Sequence, residues 1–576
     1  MRKKRLLLLM SSCLVFVSVI FVKVPVVNLH SAGQAVTRGV VGKEEVYEAL
    51  NSRGFMPDVK LVPLAPRPRD LNDKVVYIIN SWPVGSGSQL DDILVKIGDD
   101  LSKRFPKAKI VAKPKPSAYG TDDTEFWDEV VKNADAFVYG AAPSCATTMY
   151  AVKYTGLLEK RGRPGVPIIF NNLIEDAKIT CDEIGMRIRW VSVPYPPENT
   201  SDKQIAEIMN KVAESLTSSP SGEEIRTGMY KPPKPEKIAT AGTFEEINNY
   251  FYSKGLTDGL PIMPPTKERV AAMLKGTSHR PDELVTTGMW PAQWGVTVEK
   301  VAIVGVMAGC KPEYMPVLLA TVEAFSKSGT DVRSTNSFSY MRVVNGPIRK
   351  ELGMNAGTYA LGPGNHANAT IGRFLNLAIT NLGGGQIGVN LMGSQGNVSS
   401  YTFCFPENEE NSPWESFAVE KGYKPNESTL TMFSTGWSHC GNYLGGSVDD
   451  LARAMAQFTW PCGMAVLVAP PRAKEWAKKG FSKKEFEDYI WSHATLPMKI
   501  FRQDSYYKKF IEPIMRGKPM EKYQWPSYYL WLPDDAVVPV YPRDGVQVIV
   551  VGEEQNPMMQ GWKTSYPTIV SIDKWR

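Results

Sequence analysis

Apolar and polar positions follow two rhythms over residues 40–217. Short unbroken apolar runs at Val75–Asn80, Ala136–Tyr139 and Val166–Phe170 read as buried strands, and Lys109–Ala112 and Ile188–Val193 continue the series. Between them the apolar residues fall three and four apart. Leu90, Ile93, Leu94, Ile97, Leu101 and Phe105 predict a helix over 89–105. Further helices are predicted at Thr121–Ala134 (with Thr121 as N-cap), Ala146–Lys160, Leu173–Gly185 and Ser201–Leu216. Five strands alternating with five helices predict a doubly wound parallel sheet, whose ligands bind beyond the carboxyl ends of the strands.

The rhythm breaks at residues 218–240, a Ser-, Pro- and Lys-rich stretch that reads as a linker. Residues 241–576 read as a larger α+β domain. Thr243–Lys254 is helical, Thr266 caps a helix through Leu274, and Val298–Ala308 and Met315–Phe325 are buried helices. Between Asn345 and Asn411 there are 12 glycines and 10 asparagines in 67 residues, more than a plain core requires. A helix packed by small residues is expected at Ala369–Thr380. Later, Met464–Ala469 reads as strand, Ser482–Ile490 as a helix capped by Ser482, and Val546–Val551 as strand. The fold class is thus α/β: a flavodoxin-like N-terminal sheet followed by the larger domain.

The first 35 residues stand apart. Arg2, Lys3, Lys4 and Arg5 precede an almost wholly apolar run over residues 6–22, with small residues at Ser31, Ala32, Gly33 and Ala35. That is the pattern of a signal peptide or membrane anchor, and it places the body outside the cytoplasm, periplasmic or tethered. Five of the basic residues behind the net charge of +6 flank this run, leaving a nearly neutral body. Nucleic acid is therefore not expected as a partner, and membrane contact is confined to residues 6–22. The expected partner is a small-molecule substrate, and a homo-oligomer is left open. Seven cysteines in 576 residues exclude a disulfide-dense scaffold.

Candidate chemistry gathers at the strand ends. Cys145 lies in the small-residue loop GAAPSCATT (140–148), after a strand and at the start of a helix. A helix N-terminus offers free N–H groups and partial positive charge, which lower a thiol pKa. Cys145 is the expected nucleophile or proton carrier, with Ser144 beside it. Ser81, Ser86, Asn171 and Tyr195 lie in the other strand-end loops and are candidate substrate contacts. From the Gly/Asn-rich stretch, Cys404, His366 and Glu407 are candidate catalytic partners, and Asn368 and Tyr401 candidate contacts. No cofactor is expected, because GGGQIG (383–388) lacks the strand–turn–helix context of a nucleotide loop. No metal is expected either, because His439-Cys440 has no second pair at ligand spacing.

The run from Asp135 to Gly185, followed by IRWVSVPYP, resembles the UGSC family of (seleno)proteins over about residues 73–215. By position, Ser144 and Cys145 match the family's Ser and Cys. Ala142 stands where selenocysteine or cysteine is expected, and Pro143 replaces Gly, so no redox pair forms inside the motif. More distantly, a loop cysteine after a strand of such a sheet is similar to the aspartate/glutamate racemase superfamily. The Asp258–Thr266 stretch and the Glu407–Glu410 turn resemble features found with UGSC-like modules. Together these readings lead to an exported cysteine-dependent enzyme acting on a small molecule by lyase, isomerase or transferase chemistry at the domain interface. The alternatives are a redox protein pairing Cys145 with Cys404 or Cys310, and a non-catalytic binding protein.

Overall fold

Unbroken apolar strands need cover on both faces, and the first region supplies it. A computed structural model describes residues 45–81, 90–117, 119–442, 446–457, 463–504, 507–516 and 525–576. The proposed export segment and Ser86 lie outside these residues. The first region runs β1 (Val75–Asn80), α1 (Asp91–Arg104), β2 (Lys109–Pro114), α2 (Thr124–Asn133), β3 (Ala136–Gly140), α3 (Cys145–Lys160), β4 (Gly165–Phe170), α4 (Ile174–Ile184), β5 (Val191–Val193) and α5 (Asp202–Thr217). Its five strands are all parallel in the order β2-β1-β3-β4-β5, the flavodoxin-like winding. On one face Ile97 and Leu101 of α1 and Val212 and Leu216 of α5 pack on Ile78, Val138 and Ile168. On the other, Trp127, Ala151 and Leu158 pack on Tyr77, Phe137 and Tyr139.

Helix α2 starts three residues later than the spacing predicts. Thr121 is drawn into the loop, where its carbonyl accepts the Tyr154 hydroxyl at 2.9 Å. Asp123 takes the N-cap position, but its carboxylate is engaged with Lys115 and Ser117 instead of capping the helix.

Two antiparallel ribbons join the regions. Tyr47–Leu50 pairs with Ile238–Gly242, and Val59–Leu61 with Gly228–Tyr230. Ala49 and Leu50 belong to the core of the second region, so the chain passes through that core before entering the parallel sheet. Residues 218–240 carry a single turn of 3-10 helix at Gly222–Ile225 and strands of both ribbons. Glu45–Arg576 forms one compact unit.

In the second region, α6 (Val298–Ala308), α7 (Met315–Ser328) and α8 (His366–Asn381) form the largest core. They lie against a seven-stranded mixed sheet: β6 (Ser339–Asn345), β7 (Cys404–Pro406), β8 (Thr429–Asn442), β9 (Met464–Val468), β10 (Val546–Val550), β11 (Met559–Thr564) and β12 (Thr568–Ser571). The order is β7-β6-β8-β11-β9-β10, with β12 also on β8. Thr266 and Ser482 each cap a helix as expected, and Thr243, expected as the first helical residue, is instead the N-cap of Phe244–Ser253; Thr243 and Ser482 form full capping boxes. The expected helix at Ala369–Thr380 begins earlier, at His366, because the Asn365 side chain caps it by accepting Asn368 N–H at 3.0 Å.

Candidate functional site

In a sheet of this winding the ligand crevice opens beyond the carboxyl ends of β1 and β3, where the crossovers leave in opposite directions. Cys145 follows β3 at that point as the first residue of α3, with Ser144 as its N-cap in extended conformation. The loop is tight: Thr147 Oγ1 donates to Ala142 O and Ser144 O, at 2.5 and 2.9 Å. Ser81, at the end of β1, donates its N–H to Gly140 O across the switch point.

Cys145 is completely buried. A hydrogen-bond partner comes from the Gly/Asn-rich stretch: Sγ donates to the Val389 carbonyl at 3.9 Å. The covering turn holds itself closed through Asn390, whose amide donates to Gly384 O at 3.2 Å and accepts Gln386 N–H at 2.7 Å. The expected lowering of the thiol pKa is reversed. Burial pushes Cys145 up to about 12, the Asp176 carboxylate adds to the rise, and Arg333 and the residue's own backbone N–H oppose it. The helix terminus thus acts in the expected direction and is outweighed by desolvation. Burial likewise raises Cys181, Cys310, Cys404 and Cys440, so acidity does not set Cys145 apart.

Asp176 and Arg333 were not among the sequence candidates. Arg333 Nε donates to Asp176 Oδ1 at 2.6 Å and Nη1 to Glu183 Oε1 at 2.6 Å. Nη2 reaches Asp176 O at 2.9 Å and Thr180 Oγ1 at 2.5 Å. This fork ties α4 to the second region. Asp176 could have been found, because it falls on the buried face of α4 with Ala177, Thr180 and Cys181. Arg333, in a polar loop, carries no such signal.

Among the described residues, Asp176 Oδ2 on α4, Ser81 Oγ at the end of β1 and Thr148 Oγ1 on α3 itself are buried without a hydrogen-bond partner. Burial raises the Asp176 carboxyl to about 6, against the pull of Arg333. A carboxyl raised above its unfolded value of about 3.9 holds its proton more tightly in the folded state. The stability this contributes is complete below about pH 4 and is lost as pH rises through about 6. Asp176→Asn is therefore expected to turn the slope of stability against pH upward in that window, by at most about 1.4 kcal/mol per pH unit. Urea midpoints at pH 4, 5 and 6 measure it, and an unchanged slope would show that Asp176 titrates normally.

The remaining candidates are dispersed. Asn171 is exposed in a 3-10 turn after β4, and the half-exposed Tyr195 ring packs edge-on against Phe170 at 5.5 Å. His366 is exposed at the start of α8, with Nδ1 3.2 Å from the Tyr314 hydroxyl. The Asn368 side chain is spent on the backbone of Asn355 and Ala360. Cys404 is buried in the core of the second region, opposite Arg342 on the neighbouring strand. Glu407 is fully buried and accepts Asn345 Nδ2 at 2.6 Å and Phe417 N–H at 2.7 Å. Among the described residues no hydrogen bond or ion pair joins Cys145 to His366, Cys404 or Glu407. Nor, among the described residues, are three His, Cys, Asp or Glu side chains gathered to hold a metal, and no helix among them is long and apolar enough to cross a membrane. Tyr401, half-exposed, lines a separate cleft of about 930 Å3 in the second region.

Residues 52–219 match the UGSC family, so the first region is a UGSC-like module. No curated protein matches the chain. Among solved structures, an azoreductase, AzrA, is similar at 10% identity and a TM-score of 0.17, over 25% of this chain and 99% of that one.

Proposed function

We propose that the protein is a cysteine-dependent enzyme acting on a small molecule at the junction of its two regions, by covalent or proton-transfer chemistry of lyase, isomerase or transferase type. The observation that carries this reading is Cys145 itself: a thiol on a helix N-terminus at the sheet's switch point, within electrostatic reach of Asp176, with Ser81 Oγ, Thr148 Oγ1 and Asp176 Oδ2 on β1's end, α3 and α4 buried and unpartnered among the described residues. Buried polar groups without partners are rare enough to call for an explanation, and a site awaiting a ligand is one. The closed form is latent. With burial holding the thiol up at about 12, Cys145 is protonated at pH 7 in this form. Displacing the turn around Val389 removes the desolvation and leaves the helix terminus to act on the thiol. The basic residues 2–5 and the apolar run after them support an exported body.

The burial of Cys145 also favours a second reading, a binding protein with no catalytic thiol. Two measurements separate them. Asn390→Ala loosens the covering turn and is expected to speed alkylation of Cys145 by about tenfold or more, with Cys181 labelling unchanged. Cell extracts incubated with the wild type and with Cys145→Ser are then compared by mass spectrometry. A compound consumed only by the wild type supports the enzyme. A folded Cys145→Ser protein with an identical profile, together with a thiol that stays unlabelled in Asn390→Ala, leaves the binding protein.

A further inference from the structure

We propose that the cleft of the second region binds a small organic carboxylate with an apolar body, anchored on the Arg342 guanidinium. The charges lining this cleft do not balance. Arg53, Lys254 and Arg342 all line it, and none of them makes an ion pair with a carboxylate among the described residues. Arg53 stacks on Trp294 at 5.0 Å, and Lys254 lies 5.9 Å from the Tyr250 ring. Asp258 is the one acid in the lining, and Arg373 already neutralises it through Nε–Oδ2 at 2.7 Å and Nη2–Oδ1 at 2.8 Å.

Arg342 is the unusual member. It sits in the middle of β6, between the apolar side chains of Met341 and Val343, and is 2% exposed. Its bonds all go to neutral backbone carbonyls: Nε and Nη2 to Phe403 O at 3.3 and 3.2 Å, and Nη1 to Gly372 O at 3.2 Å. A guanidinium has five N–H groups, so two are left over. Its facing residue across the ladder is the Cys404 thiol, which burial keeps neutral. A buried cation without a counter-charge is expensive, and arginines so buried are almost always paired. A carboxylate entering the cleft would supply the missing charge in the two-point geometry that guanidinium favours.

The rest of the lining suits the same ligand. Asn376 lies one turn beyond Gly372 on α8, and its side-chain amide has no partner among the described residues. Leu256, Leu375, Ile379 and Leu391 give the cleft apolar walls. The volume, about 930 Å3, is that of a small-ligand pocket. Cys145 is not among the residues that line this cleft, although the turn that covers the thiol forms one of its walls; the test reads binding alone, so its failure would leave the thiol proposal standing.

The full-length protein is titrated calorimetrically with phenylacetate, hexanoate, the neutral isostere phenylacetamide, and inorganic phosphate. Saturable binding of the two carboxylates is expected, with phenylacetamide and phosphate weaker by about tenfold or more. Arg342→Met should lose carboxylate binding by a similar factor. It should also melt no lower than the wild type, since an unpaired buried charge is replaced by an apolar chain. Carboxylate binding that survives in Arg342→Met, phenylacetamide binding as tightly as phenylacetate, or no binding of either carboxylate would overturn the proposal. A preference for phosphate would overturn the carboxylate assignment. A thermal midpoint well below that of the wild type would show that the guanidinium serves the fold.

Discussion

Arg333→Met is expected to destabilise the protein by about 3–5 kcal/mol, the usual consequence of removing one partner from a buried ion cluster. Asp176 and Glu183 would be left as buried carboxylates, with Thr180 and the Asp176 carbonyl short of a donor. Methionine fills much of the volume, so the loss measures charge and hydrogen bonding more than packing. Chemical denaturation followed by tryptophan fluorescence gives the number. The same variant tests the coupling between the regions, because the fork is anchored on α4, which packs against the Cys145 helix. Alkylation of Cys145 should accelerate together with the loss of stability. A variant as stable as the wild type would show that the fork is not what holds α4 to the second region.

Glu407→Ala is expected to cost a similar amount, about 3–5 kcal/mol. Beyond its bonds to Asn345 and Phe417, its second oxygen lies 3.4 Å from Val550 N and 3.6 Å from Lys483 Nζ. Lys483 is buried, and its pKa is held up by the carboxylates around it, Glu407 first, against the cost of desolvation. Removing Glu407 leaves that ammonium with Glu420 at 3.2 Å and strands the N–H groups of three chain segments. A residue acting only in catalysis would lose turnover and keep its stability. Urea midpoints for Glu407→Ala within about 1 kcal/mol of the wild type would therefore return Glu407 to the list of catalytic candidates.

The parallel sheet was legible because buried strands and amphipathic helices leave opposite signatures. VVYIIN and the spacing of Leu90 to Phe105 admit few other readings. The mixed sheet was less so. Its central strand β8, TLTMFSTGWSHCGN, is rich in small and polar residues, and Thr429, Thr431, Ser434 and Thr435 are buried all the same. Hydroxyls buried in a strand give no period-two alternation. Cys145 was placed correctly at its helix terminus, but its environment was not. Whether a thiol is solvated depends on what folds over it, and Val389 lies 244 positions away. Separations of 157 and 150 positions likewise hid Arg333 from Asp176 and Glu183. Arg342 did leave a trace: a lone cation inside SYMRVVN is a charge that must find compensation.

The paired ribbons at the junction also set an order of events during synthesis. Tyr47–Leu50 leaves the ribosome first, yet its partner Ile238–Gly242 emerges only after the whole UGSC-like module has been made. Domains generally close as units in the order they are translated. The module can therefore finish its own sheet while the strand preceding it waits unpaired. Ala49 and Leu50 then find their core only when the helices from α6 onward have followed. Until the turn bearing Val389 emerges, the nascent module presents Cys145 without its cover, so the thiol is sealed by the later half of the chain.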